Sequence, residues 1–168
     1  RPAGGPLYGL QSWVALPRGR EEVEPSFRHY GADQLPRFDL DGVHVALIAG
    51  TWQGATSPVE TMSDLFYAIV DLPVGKRLHI PADHEERAVL LLSGHMTLAG
   101  WETSESQMLV LQAGREIVVE ALAPTRLAVL GGATIDGPRH IWWNFVSSSR
   151  DRIEQAKSDW RAERFLPV

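Results

Sequence analysis

The chain has 168 residues, 44% of them hydrophobic, with a formal net charge of −5 and no cysteine. That length carries one sizeable core plus a modest extension. The acidic balance, with no Lys/Arg block, lacks the electrostatic footprint of a direct nucleic-acid binder, and no apolar run approaches the ~18–20 residues of a membrane span.

Without cysteine there are no disulfides, zinc thiolates or thiol nucleophiles. That absence, and the lack of a basic-then-apolar leader, are compatible with a cytoplasmic protein. The sequence opens Arg1-Pro2-Ala3-Gly4-Gly5-Pro6 with no initiator Met, as expected of a fragment or a processed product.

Residues 1–40 are interrupted by Gly4, Gly5, Pro6, Gly9, Pro17, Gly19, Pro25 and Pro36, which rules out a long helix. Leu10, Trp13, Val14 and Leu16 give this arm a short strand or an anchor, and Arg18 to Glu22 form a solvated turn. From Asp41-Gly42 onward, short apolar runs alternate with turn residues. Val43–Ala49, Leu65–Leu72, Arg87–Leu92, Met96–Ala99, Met108–Leu111, Glu116–Glu120 and Arg126–Leu130 are predicted as strands. Strands at roughly 8–12-residue spacing, without intervening helices, predict an antiparallel sandwich or small barrel.

The run from Pro138 to Ser149 then sets Trp142, Trp143 and Phe145 against polar residues and opens into the best helical pattern of the chain. Ser147 to Ser149 are N-cap candidates, and Ser148 with Asp151 has capping-box spacing. Ile153, Ala156 and Trp160 recur on one face, so an amphipathic helix is expected to pack across the outside or rim of the β structure. Residues 1–40 are thus an arm, 41–148 the β domain, and 149–168 a helix and tail. Trp13, Trp142, Trp143 and Trp160 are expected to anchor arm and helix, because large aromatics contribute mainly buried area.

Residues Gly75 to Gly94 hold the densest chemistry. His79, His84, Glu85 and Glu86 lie close together, and His95 follows on the next strand. His79 and His84 are five apart across a proline, so they do not share a strand face; a polar loop is the plainer reading, a metal or proton-transfer site the sharper one. Arg87 inside an apolar strand needs an acid or a ligand, with Asp83, Glu85 or Glu86 the expected partners. With Arg77 it marks a candidate site for a small anionic or aromatic ligand. The candidate ligand-binding residues are therefore Arg77, His79, His84, Glu86 and Arg87. There is no Gly-x-Ser-x-Gly elbow and no Walker-type phosphate loop, so no catalytic residue is assigned.

The frame of this segment resembles the first motif of the cupin superfamily, a Gly, two close histidines, a Glu and a strand ending in Gly. Metal-holding cupins converge three imidazoles and a carboxylate on Fe, Mn, Ni, Cu or Zn. At that spacing the two histidines fall on Pro81 and Asp83, the glutamate on Arg87 and the closing glycine on Gly94. Counted from Gly114, the histidine of the second motif falls on Thr125. The frame is kept and the ligands are replaced.

Three stretches resemble the pirin family of cupins: Gly9 to Pro17, Val45 to Gly50 followed by Ser57-Pro58-Val59, and Pro138 through Trp160 and Phe165. The resemblance implies a cupin double-stranded β-helix barrel or sandwich with a C-terminal helix. Pirins are bicupins whose metal, usually iron, sits in the first cupin, and family activities include oxygenolytic cleavage of quercetin and a transcription-cofactor role. It therefore implies a metal-free C-terminal cupin with its interdomain arm, partnered by an N-terminal cupin that holds the iron. An arm deprived of that neighbour is expected to self-associate through its apolar side chains. A protein-interaction role for the closing helix would use Arg152 and Lys157.

Overall fold

A computed structural model describes residues 4–5, 8–104 and 106–165; the tail residues Leu166 and Pro167 and the opening Arg1, Pro2, Ala3 and Pro6 lie outside them. The chain divides into two compact units, one of residues 23–134 and one of residues 1–22 with 135–168.

Short apolar runs cut by turn residues build the first unit, every second side chain of a strand facing the same side. Its strands are β1 (Arg37–Leu40), β2 (Val43–Trp52), β3 (Ala55–Thr56), β4 (Leu65–Leu72), β5 (Arg77–Ile80), β6 (Glu86–Ser93), β7 (Met96–Leu98), β8 (Trp101–Thr103), β9 (Met108–Val110), β10 (Ile117–Ala121) and β11 (Thr125–Gly132). They form a large sheet in the order β1-β2-β4-β11-β6-β9, with β3 on β2, and a smaller sheet in the order β5-β10-β7-β8. All recorded pairings in both sheets are antiparallel.

The expected all-β cupin sandwich is present. Each of the seven predicted strands is there within a few residues, and β1 begins inside the stretch read as arm. β1, β3, β5 and β8 were not predicted; each is two to four residues long, and at most half of its residues are apolar, against most of those in the equally short β7 and β9.

The inward side chains of both sheets meet in one core: Leu47, Phe66, Leu72, Leu78, Ile80, Leu91, Met96, Val119 and Leu127 are essentially inaccessible. Trp52 stacks on Phe66 at 5.0 Å, and the Phe66 ring meets His84 at the same separation.

The large sheet is apolar on its other face too. Outward residues line up in cross-strand register as Ala46–Ile69–Ala128–Leu90–Met108 and Tyr67–Leu130–Ala88–Val110. A polar row, Asp39–His44–Asp71–Arg126–Ser93, borders them. Val110 is 82% exposed and Met108 54%. Strands that are apolar on both sides belong to sheets with a layer against each face.

In the second unit β12 (His140–Trp142) and β13 (Phe145–Ser147) pair as a hairpin, and α1 (Arg150–Arg161) follows. The helix packs on that hairpin. Its cap is Ser149, whose hydroxyl accepts the Arg152 N–H, and not the Ser148–Asp151 box. Ile153 is buried as expected, and Trp142, Phe145, Trp160 and Phe165 form an aromatic cluster.

The tryptophans are less buried than their size suggested: Trp13 is 52%, Trp160 60% and Trp143 79% exposed. Trp143 takes the first position of the two-residue hairpin turn at φ +50, where an L side chain with a bulky Cβ substituent is strained. Trp143→Asn should therefore stabilise the chain by about 0.5–1 kcal/mol in a urea titration. A loss would mean that the indole is packed in solution.

Candidate functional site

Arg87 and Thr125 occupy the positions at which a metal-holding cupin keeps its carboxylate and its last histidine. Arg87 lies on β6 in phase with the core residues Val89 and Leu91, so its side chain turns inward, and it is only 2% exposed. Gly131 faces it across the β6–β11 pair. A Cβ there would come within 2.6 Å of the Phe66 ring and 2.9 Å of the Arg87 stem, so only glycine leaves room for both.

The guanidinium ends among backbone carbonyls. Nη1 donates to Pro81 O at 2.6 Å and Ile80 O at 3.3 Å; Nη2 donates to Gln112 O at 2.6 Å and Arg115 O at 2.8 Å. Nε finds no partner among the described residues.

This corrects the expected pairing with Asp83, Glu85 or Glu86. Alternation puts Glu86 on the opposite face of the strand, where it is exposed. Glu85 accepts the Thr134 N–H instead, and that hydrogen bonding holds its carboxyl below the ordinary range. Arg87 is a brace that ties the loop after β5 to the loop before β10.

Thr125 has the same kind of task. It is 4% exposed; its hydroxyl accepts the His95 N–H at 3.1 Å and lies 2.9 Å from His95 O and 2.8 Å from Ala123 O, either of which takes its one proton. It thereby holds the turn after β6, where Gly94 sits at φ +103 against Thr125 itself. Both positions now bind backbone.

The remaining candidates are separately engaged. Arg77 pairs with Glu120 at 2.8 Å across β5 and β10, and His79 on β5 with Glu116, the residue just before β10, at 3.1 Å. Both His79 and Arg77 border an open groove of about 850 Å³ with Gln53, Lys76 and Asp41. His84, largely buried against Phe66, lies 3.5 Å from Asp64, and His95 is 2.8 Å from Glu102.

His79, His84 and His95 thus each face a different carboxylate. Among the described residues no cluster of three or more His, Asp or Glu could hold a metal ion. A fixed guanidinium at the carboxylate position repels a divalent cation, so these residues do not fit the metal that metal-holding cupins carry.

On the helix, Arg152 is paired with Glu22 at 2.7 Å, and Lys157 with Glu154 at 2.6 Å while lying over the Trp142 ring. The two cations read as a partner-binding surface are used within the unit.

Comparison with known proteins gives the geometry a family. Residues 67–166 match the Pirin C-terminal cupin domain. A pirin-like protein of Caulobacter vibrioides is 46% identical over 98% of this chain, which spans 57% of that relative. The crystal structure of a quercetin 2,3-dioxygenase from Acinetobacter baumannii is 29% identical, with a TM-score of 0.84 over 93% of this chain and 53% of its own. A second quercetin 2,3-dioxygenase structure from that organism, 22% identical with a TM-score of 0.83, agrees in fold over 91% of this chain and 55% of its own. The chain spans about half the length of the relatives it matches.

Proposed function

The chain belongs to the pirin family of cupins, and on that premise we propose that it serves as a metal-free C-terminal cupin that supports an upstream, metal-bearing cupin. In this reading iron sits in the upstream half, on residues outside this sequence. The present half supplies a rigid, filled sandwich on which that half packs.

The observation that carries the reading is the two-faced large sheet. Its inward side chains fill the sandwich, and its outward rows from Ala46 to Met108 and from Tyr67 to Val110 form a second apolar surface. Contiguous apolar surface of this kind marks a protein interface.

Two measurements on the 168-residue chain test it. Sedimentation should reveal concentration-dependent self-association through the outer face around the exposed Met108 and Val110, abolished by Val110→Glu with Leu90→Glu. A chain that stays monomeric at high concentration counts against the supporting role. Elemental analysis should find well under one equivalent of iron, nickel or copper; a stoichiometric metal sinks the metal-free assignment and promotes His79, His84, Glu86 and His95.

A second reading is favoured by the 29% identical dioxygenase structure. In it the longer protein cleaves quercetin with dioxygen at the upstream metal, and this half contributes no ligand. Flavonol turnover by the longer protein, with none by this chain, supports that version.

A further inference from the structure

The second unit joins segments more than a hundred residues apart in sequence, and a single side chain organises the junction. Arg139 has a side chain only 6% exposed, and it faces Glu21, whose side chain is 13% exposed, at 2.9 Å. Its Nη2 donates to Leu16 O at 2.7 Å and its Nη1 to Gly137 O at 2.8 Å, while Asp136 closes the other side.

Glu21 is satisfied from the hairpin as well. It accepts the Ser148 N–H and the Ser148 hydroxyl, both at 2.8 Å, and the Ser147 hydroxyl at 3.3 Å. Two outer contacts repeat the link: the Arg18 N–H donates to Asp136 at 3.0 Å, and Glu22 pairs with Arg152 on α1.

We infer that residues 16–22 are a strap latched to the β12–β13 hairpin by Glu21 in the Arg139 socket, so that strap, hairpin and helix start open and close as one cooperative unit. The aromatic cluster ties the hairpin to α1, and the Glu21–Arg139 contacts tie the strap to the hairpin. A two-stranded hairpin is marginal on its own, and its outward Ile141 and tip Trp143 are largely exposed. A nearly buried ion pair with every Glu21 contact made from the hairpin side is the contact whose loss strands a charge on each partner.

The carboxylate is firmly ionised at neutral pH. Burial pushes its pKa up, but the Ser148 hydroxyl and N–H, the Arg139 charge and the Ser147 hydroxyl outweigh that and hold it below the ordinary value. No local signal announces this: Arg18 to Glu22 has the composition of a solvated turn, and its partners lie beyond residue 135.

Hydrogen exchange read by mass spectrometry on the full chain tests the inference. In Glu21→Gln, peptides covering 16–22 and 140–149 should exchange about tenfold faster or more, together, with the β6 and β11 peptides unchanged. Arg139→Gln should do the same, and the double variant should exchange no faster than the faster single one. Glu22→Gln, which removes only the exposed pair with Arg152, should change either peptide by less than about twofold. Faster exchange of the strap alone, or effects of Glu21→Gln and Arg139→Gln that multiply in the double variant, would overturn the latch. If one variant also loosens β6 and β11, the other variant and the double decide the outcome.

Discussion

Arg87→Met should lower the unfolding free energy by about 3 kcal/mol, and Arg87→Glu should leave no folded protein at all. The methionine fills most of the volume but donates nothing, so the carbonyls of Ile80, Pro81, Gln112 and Arg115 lose their donor together. An unmade buried hydrogen bond costs about 1–3 kcal/mol per group. Four such groups would exceed the estimate, but the loops after β5 and before β10 lie near the surface and recover part of it from water. Relief of the buried, acid-free charge offsets a further part.

A carboxylate at this position is buried, falls short of the four carbonyl oxygens, faces them with like polarity and, ionised, has no proton to donate to them. Arg87→Lys keeps the charge but has one compact donor group for two loops, so a loss between zero and the methionine value is expected. Urea titration followed by circular dichroism measures all three. A methionine variant within about 1 kcal/mol of the parent would mean that the guanidinium is a passenger. The arginine is also why returning a glutamate to the motif does not return a metal: the histidine positions are Pro81, Asp83 and Thr125, and the loops are set for a cation already covalently attached.

How far the sequence reached follows from the range of each signal. Strands such as Leu65–Leu72 announced themselves as apolar runs bounded by turn residues. The two-residue β3 and the mostly polar β8, Trp101–Thr103, carry no such run. The replacement of the metal ligands was legible because a spacing frame is a local property of the chain.

What Arg87 does instead was not legible. Its four acceptors are main-chain atoms on two loops, one of them twenty-five or more residues away, and a backbone carbonyl leaves no mark in a sequence. The Glu21–Arg139 junction was hidden for the same reason, with partners separated by over a hundred residues. Tryptophan burial failed differently. Composition says that an indole prefers the interior, and nothing in the residues around Trp143 says that it occupies a hairpin tip.

Gly50→Ala should be more damaging than its size suggests, and Gly54→Ala separates the reason. Both glycines sit at positive φ, +74 and +79, within or just after β2. A left-handed conformation alone costs an L residue roughly 1–2 kcal/mol, and that is the whole expected penalty at Gly54, where nothing lies within 4 Å of an added Cβ.

At Gly50 the added carbon would stand 1.7 Å from Leu65 O and 2.6 Å from Leu65 C. Those are backbone atoms of the partner strand, so no rotamer change relieves the overlap. The β2–β4 pair must separate where Gly50 faces Phe66, and the Ser57 N–H loses its acceptor on Gly50. That movement also pulls apart Trp52 and Phe66, which fill one end of the core. The expected loss exceeds about 4 kcal/mol, a size reserved for disrupted cores and strained backbone, and the variant should be insoluble or molten at 25 °C while Gly54→Ala melts within a few degrees of the parent. Equal penalties at the two sites would mean that β2 and β4 tolerate a wider spacing, and that the close approach at Gly50 is not what closes the sandwich at this end.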